Sequence, residues 1–177
     1  NNDAFGTLYG SIAGDVHNLR GLRMSNGTFF ALTPIKGVTA TYDRTNNGVG
    51  TEATSYSASA TVMGVNAVVA QYTQGIESST VYAGSAKLGN TQVFYTHSDD
   101  KGVVARTGDL IGASQQFGPV TAKASYGKTN TDVKAYALGA DYNFSKRTLV
   151  GVAYRTVDVA GTANDVKQVG VGVTHRF

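Results

Sequence analysis

The stretch Thr96-His97-Ser98-Asp99-Asp100 places a base, a hydroxyl and two carboxylates within five residues. These are the ingredients of a nucleophilic or acid–base site. Spacing limits what they can do. Adjacent residues of an extended chain point to opposite faces, so His97 and Ser98 cannot meet as base and nucleophile without partners from other strands. Two readings remain: an acid–base site of His97 with Asp99 or Asp100 at a loop rim, and a solvated loop end. The other histidines, His17 and His175, form no pair at metal-ligand spacing, and the absence of cysteine removes thiolate nucleophiles, disulfides and zinc–thiolate sites. Asn26-Gly27-Thr28 matches a glycosylation acceptor and reads as a loop-to-strand turn. No glycine-rich motif joins a strand to a helix, so a phosphate cradle is unsupported, and neither a cofactor nor a metal is expected.

The elements that must carry these residues are strands. Gly is 22 of 177 residues, Pro 2, Met 2 and Trp 0, and Tyr at 10 outnumbers Phe at 7. Packed interiors favour Leu, Ile, Phe and Met, so this chain is short of the bulk that fills a soluble domain of its length. Charged residues are 15% and the formal net charge is +3, with Lys and Arg scattered, which argues against nucleic acid as a partner. No segment reaches the roughly 18 consecutive apolar residues of a membrane-spanning helix. The chain begins NNDAFGT, without Met, as a processed or re-engineered N-terminus would.

Period-two alternation recurs from end to end, with no sustained 3.6-residue period, which predicts an all-β chain of twelve strands in a single domain, 1–177. The strands are 6–16, 27–34, 38–45, 55–62, 67–74, 79–88, 91–98, 109–117, 120–128, 132–144, 148–157 and 166–177. Between 55 and 62 the alternation is clearest, with Tyr56, Ala58, Ala60 and Val62 opposite Ser55, Ser57, Ser59 and Thr61. Connections alternate between turns of two or three residues (IKG, GVN, GN, GP, SKR) and generally longer polar loops, among them GIESS and DDKGVVARTG.

One face of these strands is Val, Ala and Tyr without interlocking bulk; the other is Ser, Thr, Gly, Asn, Gln and isolated charges. A soluble sandwich would leave its core unfilled. A closed transmembrane β-barrel covers the first face with lipid and the second with water, and closure removes the open edges. Strands of about ten residues in even number meet that requirement. Phe117, Tyr142, Phe144 and Phe177 fall near the tight-turn ends, and Tyr42, Tyr72, Tyr95, Tyr126 and Tyr154 toward the loop ends, as two interfacial belts. The rival architectures are a barrel enzyme of protease or phospholipase type and a soluble β-sandwich adhesin.

TLYGSIAGDV near the start, ALTPIKGVTATY, LGADYNFSKRTLVGVAYRTV and the closing VGVGVTHRF resemble the general porins of Gram-negative outer membranes, in particular the β-proteobacterial type. The resemblance implies a bacterial outer-membrane channel for passive diffusion of small hydrophilic solutes and ions. It also implies a periplasmic N- and C-terminus, assembly as homotrimers, contact with outer-membrane lipids and lipopolysaccharide, and Phe177 as the assembly signal. Barrels of that family have sixteen strands and a long third loop folded into the lumen. Twelve strands with both end motifs present imply internal loss of hairpins, and GIESS is too short to form that constriction.

Alternation assigns Asp15, Asp43, Lys87, Lys123, Asp141, Arg155 and Arg176 to the lumen. Four are cationic and three anionic, a difference of +1. Arg20 and Arg23 add positive potential at the outer mouth. Because Lys and Arg reach farther from the wall than Asp, the expectation is weak anion preference.

Overall fold

The computed structural model describes residues 27–46, 52–103, 105–159 and 165–175. Within them lie eleven strands: β1 (Gly27–Ile35), β2 (Val38–Asn46), β3 (Glu52–Val62), β4 (Val65–Gln74), β5 (Glu77–Leu88), β6 (Thr91–Lys101), β7 (Arg106–Phe117), β8 (Val120–Thr129), β9 (Val133–Asn143), β10 (Thr148–Val159) and β11 (Val166–His175). They form one antiparallel sheet in strict chain order. The first strand expected from the sequence, 6–16, lies outside the described residues, as do Asp15, Arg176 and Phe177. Among the described residues β1 and β11 each have one neighbour and do not pair with each other, so the sheet is open there.

Registers are continuous except for one shift between Leu32 and Ile35, beside Pro34, which has no N–H to give to a ladder. On one edge the connections are Lys36–Gly37, Met63–Gly64, Gly89–Asn90, Gly118–Pro119 and Phe144–Arg147. The expected turn at 64–66 moves to Met63–Gly64, both at positive φ (49° and 82°). That pair of conformations makes a type I′ hairpin, whose twist matches the strands it joins. Gly37 has φ 85°, and a Cβ there would stand 2.5 Å from the Thr61 carbonyl oxygen. Thr61 N–H donates to the Gly37 oxygen at 2.7 Å, so only glycine permits this approach.

On the other edge two loops are shorter than the sequence suggests. GIESS contracts to the turn Gly75–Ile76, with Gln74 paired to Glu77. DDKGVVARTG shrinks to residues 102–105, because β6 and β7 continue to Asp100↔Arg106. Polar residues there join the ladder rather than leave it.

The two faces differ in exposure. One, the sheltered face, holds Ser57, Ser85, Thr96, Ser98, Leu110, Ser125, Ala137 and their register partners; the other is the exposed face. β6 shows the contrast best. Phe94, Thr96, Ser98 and Asp100 are buried at 5, 4, 0 and 5% exposure, while Val93 and Tyr95, which flank Phe94, stand at 38 and 47%. Large apolar side chains crowd the exposed face: Val69, Tyr82, Leu88, Ile111, Leu138, Val152 and Val171. Polar groups sheltered and apolar groups exposed reverse the arrangement of a soluble sheet.

The sheltered face is not uniformly polar. Phe94, Leu110, Ala135, Ala137, Ala153 and Val157 cluster on it, flanked by Val133 and Val159.

Candidate functional site

Register places the described candidates Asp43, Lys87, Lys123, Asp141 and Arg155 on the sheltered face. The link runs Asp43↔Ser55↔Tyr72↔Ser79↔Asp100 on one side and Lys87↔Gln92↔Ser114↔Lys123↔Gly139 on the other. They do not converge on a single point. They are spread along a wall of hydroxyls, of which Thr41 and Ser57 are joined at 2.6 Å.

Lys123 and Asp141 come together. Their side chains are 14 and 15% exposed and form an ion pair across β8 and β9, diagonally, two residues off register. Space for it comes from glycine. Gly139 stands opposite Lys123 and Gly151 opposite Asp141, and a Cβ at Gly151 would lie 2.7 Å from the Asp141 carboxylate. The two charges therefore largely cancel, which separate counting in the sequence misses. Arg155 donates from Nε to Gln168 Oε1 at 2.8 Å, and Lys87 is exposed near the tight-turn edge.

The sheltered face also carries Glu77, Asp100 and Arg106, which the sequence reading left in loops. Asp100 accepts from Ser79 Oγ at 2.6 Å and is 5% exposed, so it presents little charge to anything passing the wall.

The candidate acid–base group resolves differently. His97 Nδ1 lies 3.0 Å from Asp109 Oδ1 on the neighbouring strand, and Tyr95 O–H donates to the same oxygen at 2.6 Å. Ser98 points to the opposite face, fully buried, and Asp100 goes with it; Asp99 faces Lys101, 3.8 Å away. Histidine and serine are thus separated by the sheet, and the cluster holds no activated nucleophile. Among the described residues no group of three His, Cys, Asp or Glu could hold a metal ion.

The aromatic positions form two bands on the exposed face. Toward the tight turns Phe117, Tyr142 and Phe144 are exposed, the last two ring to ring at 4.7 Å. Toward the loops the band is Tyr42, Tyr56, Tyr82, Tyr95, Tyr126, Tyr136 and Tyr154, with Tyr42–Tyr56 at 5.2 Å and Tyr126–Tyr136 at 6.0 Å. Tyr72 is not part of it. Its parity turns it to the sheltered face, where its hydroxyl donates to Gln74 Oε1 at 2.6 Å. Beyond the loop-side band the exposed face becomes charged, with Arg44–Glu52, His97–Asp109, Asp99, Lys101, Lys128 and Lys134.

The sequence model of the family described as Gram-negative porin matches residues 25–177. No curated protein sequence matches the chain. Among solved structures, a mutant porin of Rhodopseudomonas blastica superposes with a TM-score of 0.72 at 19% identity, over 85% of this chain and 55% of that one. The anion-selective porin of Comamonas acidovorans gives 0.71 at 16% identity, over 87% of this chain and 60% of that one. The chain therefore spans little more than half the length of these porins.

Proposed function

The chain belongs to the Gram-negative porin family, and from that premise we propose that it forms a bacterial outer-membrane channel for passive diffusion of small hydrophilic solutes and ions. The observation that carries this reading is the reversed burial of the sheet. A hydroxyl-rich face is sheltered and a Val/Ala/Tyr face exposed between two aromatic bands, which is what lipid outside and water inside require. Of the rivals, a soluble sandwich conflicts with the exposed apolar face, and a His–Ser hydrolase conflicts with Ser98 on the opposite side from His97. Conductance steps in a planar bilayer test the channel directly; a folded, inserted protein that gives none would overturn it.

The edges at β1 and β11 are open among the described residues, and a homotrimer is the assembly that the family suggests. Cysteine labelling of intact cells tests the orientation. Met63→Cys and Lys146→Cys on the tight-turn edge should resist a membrane-impermeant maleimide, whereas Ile76→Cys and Val103→Cys on the opposite edge should react. The reverse pattern would invert the topology.

Selectivity follows from the charges that the sheltered face carries. On the sheltered face, apart from the Lys123–Asp141 ion pair and the buried Asp100, the charged side chains among the described residues are Lys87, Arg106 and Arg155 with Asp43 and Glu77, and the longer Lys and Arg side chains reach farther from the wall. We therefore propose weak anion preference, strongest at low salt because a Debye length of about 8–10 Å screens wall charges at physiological strength. Lys87→Glu and Arg155→Glu should each shift the reversal potential in a dilute KCl gradient toward cations. Cation preference of the unmodified channel would sink this assignment. The Comamonas protein is named as anion-selective, which accords with the sign.

A further inference from the structure

Charge is distributed unevenly along the strands, from one edge of the sheet to the other. The tight turns and the strand halves next to them carry Lys36, Lys87, Lys123, Lys146 and Arg147 against one carboxylate, Asp141, a difference of +4 among the described residues. The loop-side halves carry the other nine described carboxylates against seven cations, a difference of −2. The wetted surface follows the same order. Near the tight turns the sheltered face has Lys87 beside the Lys123–Asp141 pair, and the turns add Lys36, Lys146 and Arg147, all exposed. Toward the loops that face has Asp43, Glu77 and Asp100 with Arg106 and Arg155.

The two ends act separately. Strands of about ten residues, rising about 3.4 Å per residue and tilted about 40°, set the edges about 25 Å apart along the axis, whereas charges are screened beyond about 10 Å in about 0.1 M salt. Each mouth therefore fills with ions according to its own charge, and anions collect at the tight-turn mouth. A wall charged evenly from end to end gives anion preference but equal currents in both directions, so a difference between the directions reports where the charges lie rather than how many there are.

We propose that the channel rectifies: at equal and opposite voltages its open state passes more current when small anions enter at the tight-turn mouth and leave at the loop edge. The inference rests on the channel reading above and adds a direction to it. When the loop side is positive, anions gathered at the tight-turn mouth are driven inward. Cations enter from the loop side, are slowed by the cationic mouth, and accumulate with the anions, so the lumen holds more carriers. When the voltage is reversed, anions must enter through the end with net negative charge and cations through the cationic one, and the lumen is depleted of both. Without a voltage or a concentration gradient there is no net flux, as passive diffusion requires.

The test is the open-channel current of single channels of the full chain in a planar bilayer, read at equal voltages of either sign before any closure. Ile76→Cys, with a bulky maleimide added to one chamber, fixes which side carries the loop edge. A mouth potential of about one kT raises the local anion concentration about 2.7-fold, so the current ratio should reach about 1.5 in about 0.1 M KCl. In about 1 M KCl, where screening shortens to about 3 Å, it should fall to about 1. K36Q/K146Q/R147Q should bring the ratio close to 1 in dilute salt and move the reversal potential toward cations. D43N/E77Q should also lower the ratio while moving the reversal potential toward anions, a combination that net charge alone does not produce. K36R/K146R/R147K should keep the ratio. A conducting channel with equal currents, a larger current in the opposite sense, or an undiminished ratio in K36Q/K146Q/R147Q overturns this inference and leaves the channel reading standing. A folded, inserted protein that never conducts sinks the channel reading, and this one with it.

Discussion

Leu138→Arg should remove most of the folded, heat-modifiable protein recovered in lipid vesicles, while Ser59→Arg should leave it in place. Leu138 lies midway along β9 on the exposed face and is 60% accessible. In a water-soluble sheet a change at so open a position falls within about 0.5 kcal/mol either way. If lipid covers that face, an arginine near the middle of the bilayer costs about 2–4 kcal/mol, which lowers the ratio of folded to unfolded protein by about 30- to 1,000-fold. Ser59 lies on the sheltered face between Thr39 and Val68 in register. There an arginine can extend into water. The two substitutions therefore exchange their expected severity between a barrel in lipid and a soluble sandwich. Urea titration in vesicles, followed by the gel shift on heating, measures both. Equal stability of the two variants would remove lipid from the account of the exposed face.

Gly112→Ala should destabilise the wall by about 1–3 kcal/mol, the usual cost of overpacking. Phe94 stands opposite Gly112 in register, 5% exposed, with its ring lying over the glycine. A Cβ at position 112 would come within 2.1 Å of Phe94 Cζ and 2.8 Å of the Ala124 carbonyl oxygen. The ring cannot swing away without leaving the apolar cluster it shares with Leu110 and Ala137. Phe94→Ala alone should also destabilise, through the space it empties over the glycine. The double variant F94A/G112A should be more stable than the sum of the two single losses, because the added methyl occupies space the ring has vacated. Strict additivity would show that ring and glycine do not interact as the geometry requires.

Alternation alone locates the strands, because side chains on a pleated chain must alternate and the Tyr/Ala and Ser/Thr sets between 55 and 62 interleave without a break. It also puts Asp43, Lys87, Lys123, Asp141 and Arg155 on one face, and the registers place them together on the sheltered one, since parity within a strand survives small errors in its ends. Connections are harder. Met63 enters a left-handed conformation with no residue-type signal to mark it, so the turn shifts by a residue. Polar runs such as Asp99-Asp100-Lys101 look like loop, yet they continue the ladder because a barrel wall extends beyond the membrane into water. Tyr72 shows the limit of position without parity: its distance along the strand suits the aromatic band, but its face does not. Tyr56, Tyr82 and Tyr136 carry the signal that was available, the same parity as their apolar neighbours. The contacts His97–Asp109 and Lys123–Asp141 depend on which residues of adjacent strands stand side by side, and a one-residue change at a turn alters that.

The strict chain order of the sheet bears on how the protein forms. Every ladder from β1 to β11 joins strands that follow one another directly, so each pairing closes a loop of only a few residues at small entropic cost. Hairpins can therefore zip in succession, each docking on the edge left by the last, without waiting for a distant partner. Among the described residues no ladder joins strands distant in sequence; on the barrel reading proposed above, the meeting of the two ends would be such a step, and it would come with the wall already assembled. Topology then predicts that the kinetics divide there, a fast phase of ladder growth and a slow phase of ring formation, with the transition state for the slow phase poor in native contacts at the ends and rich in them around β5, β6 and β7.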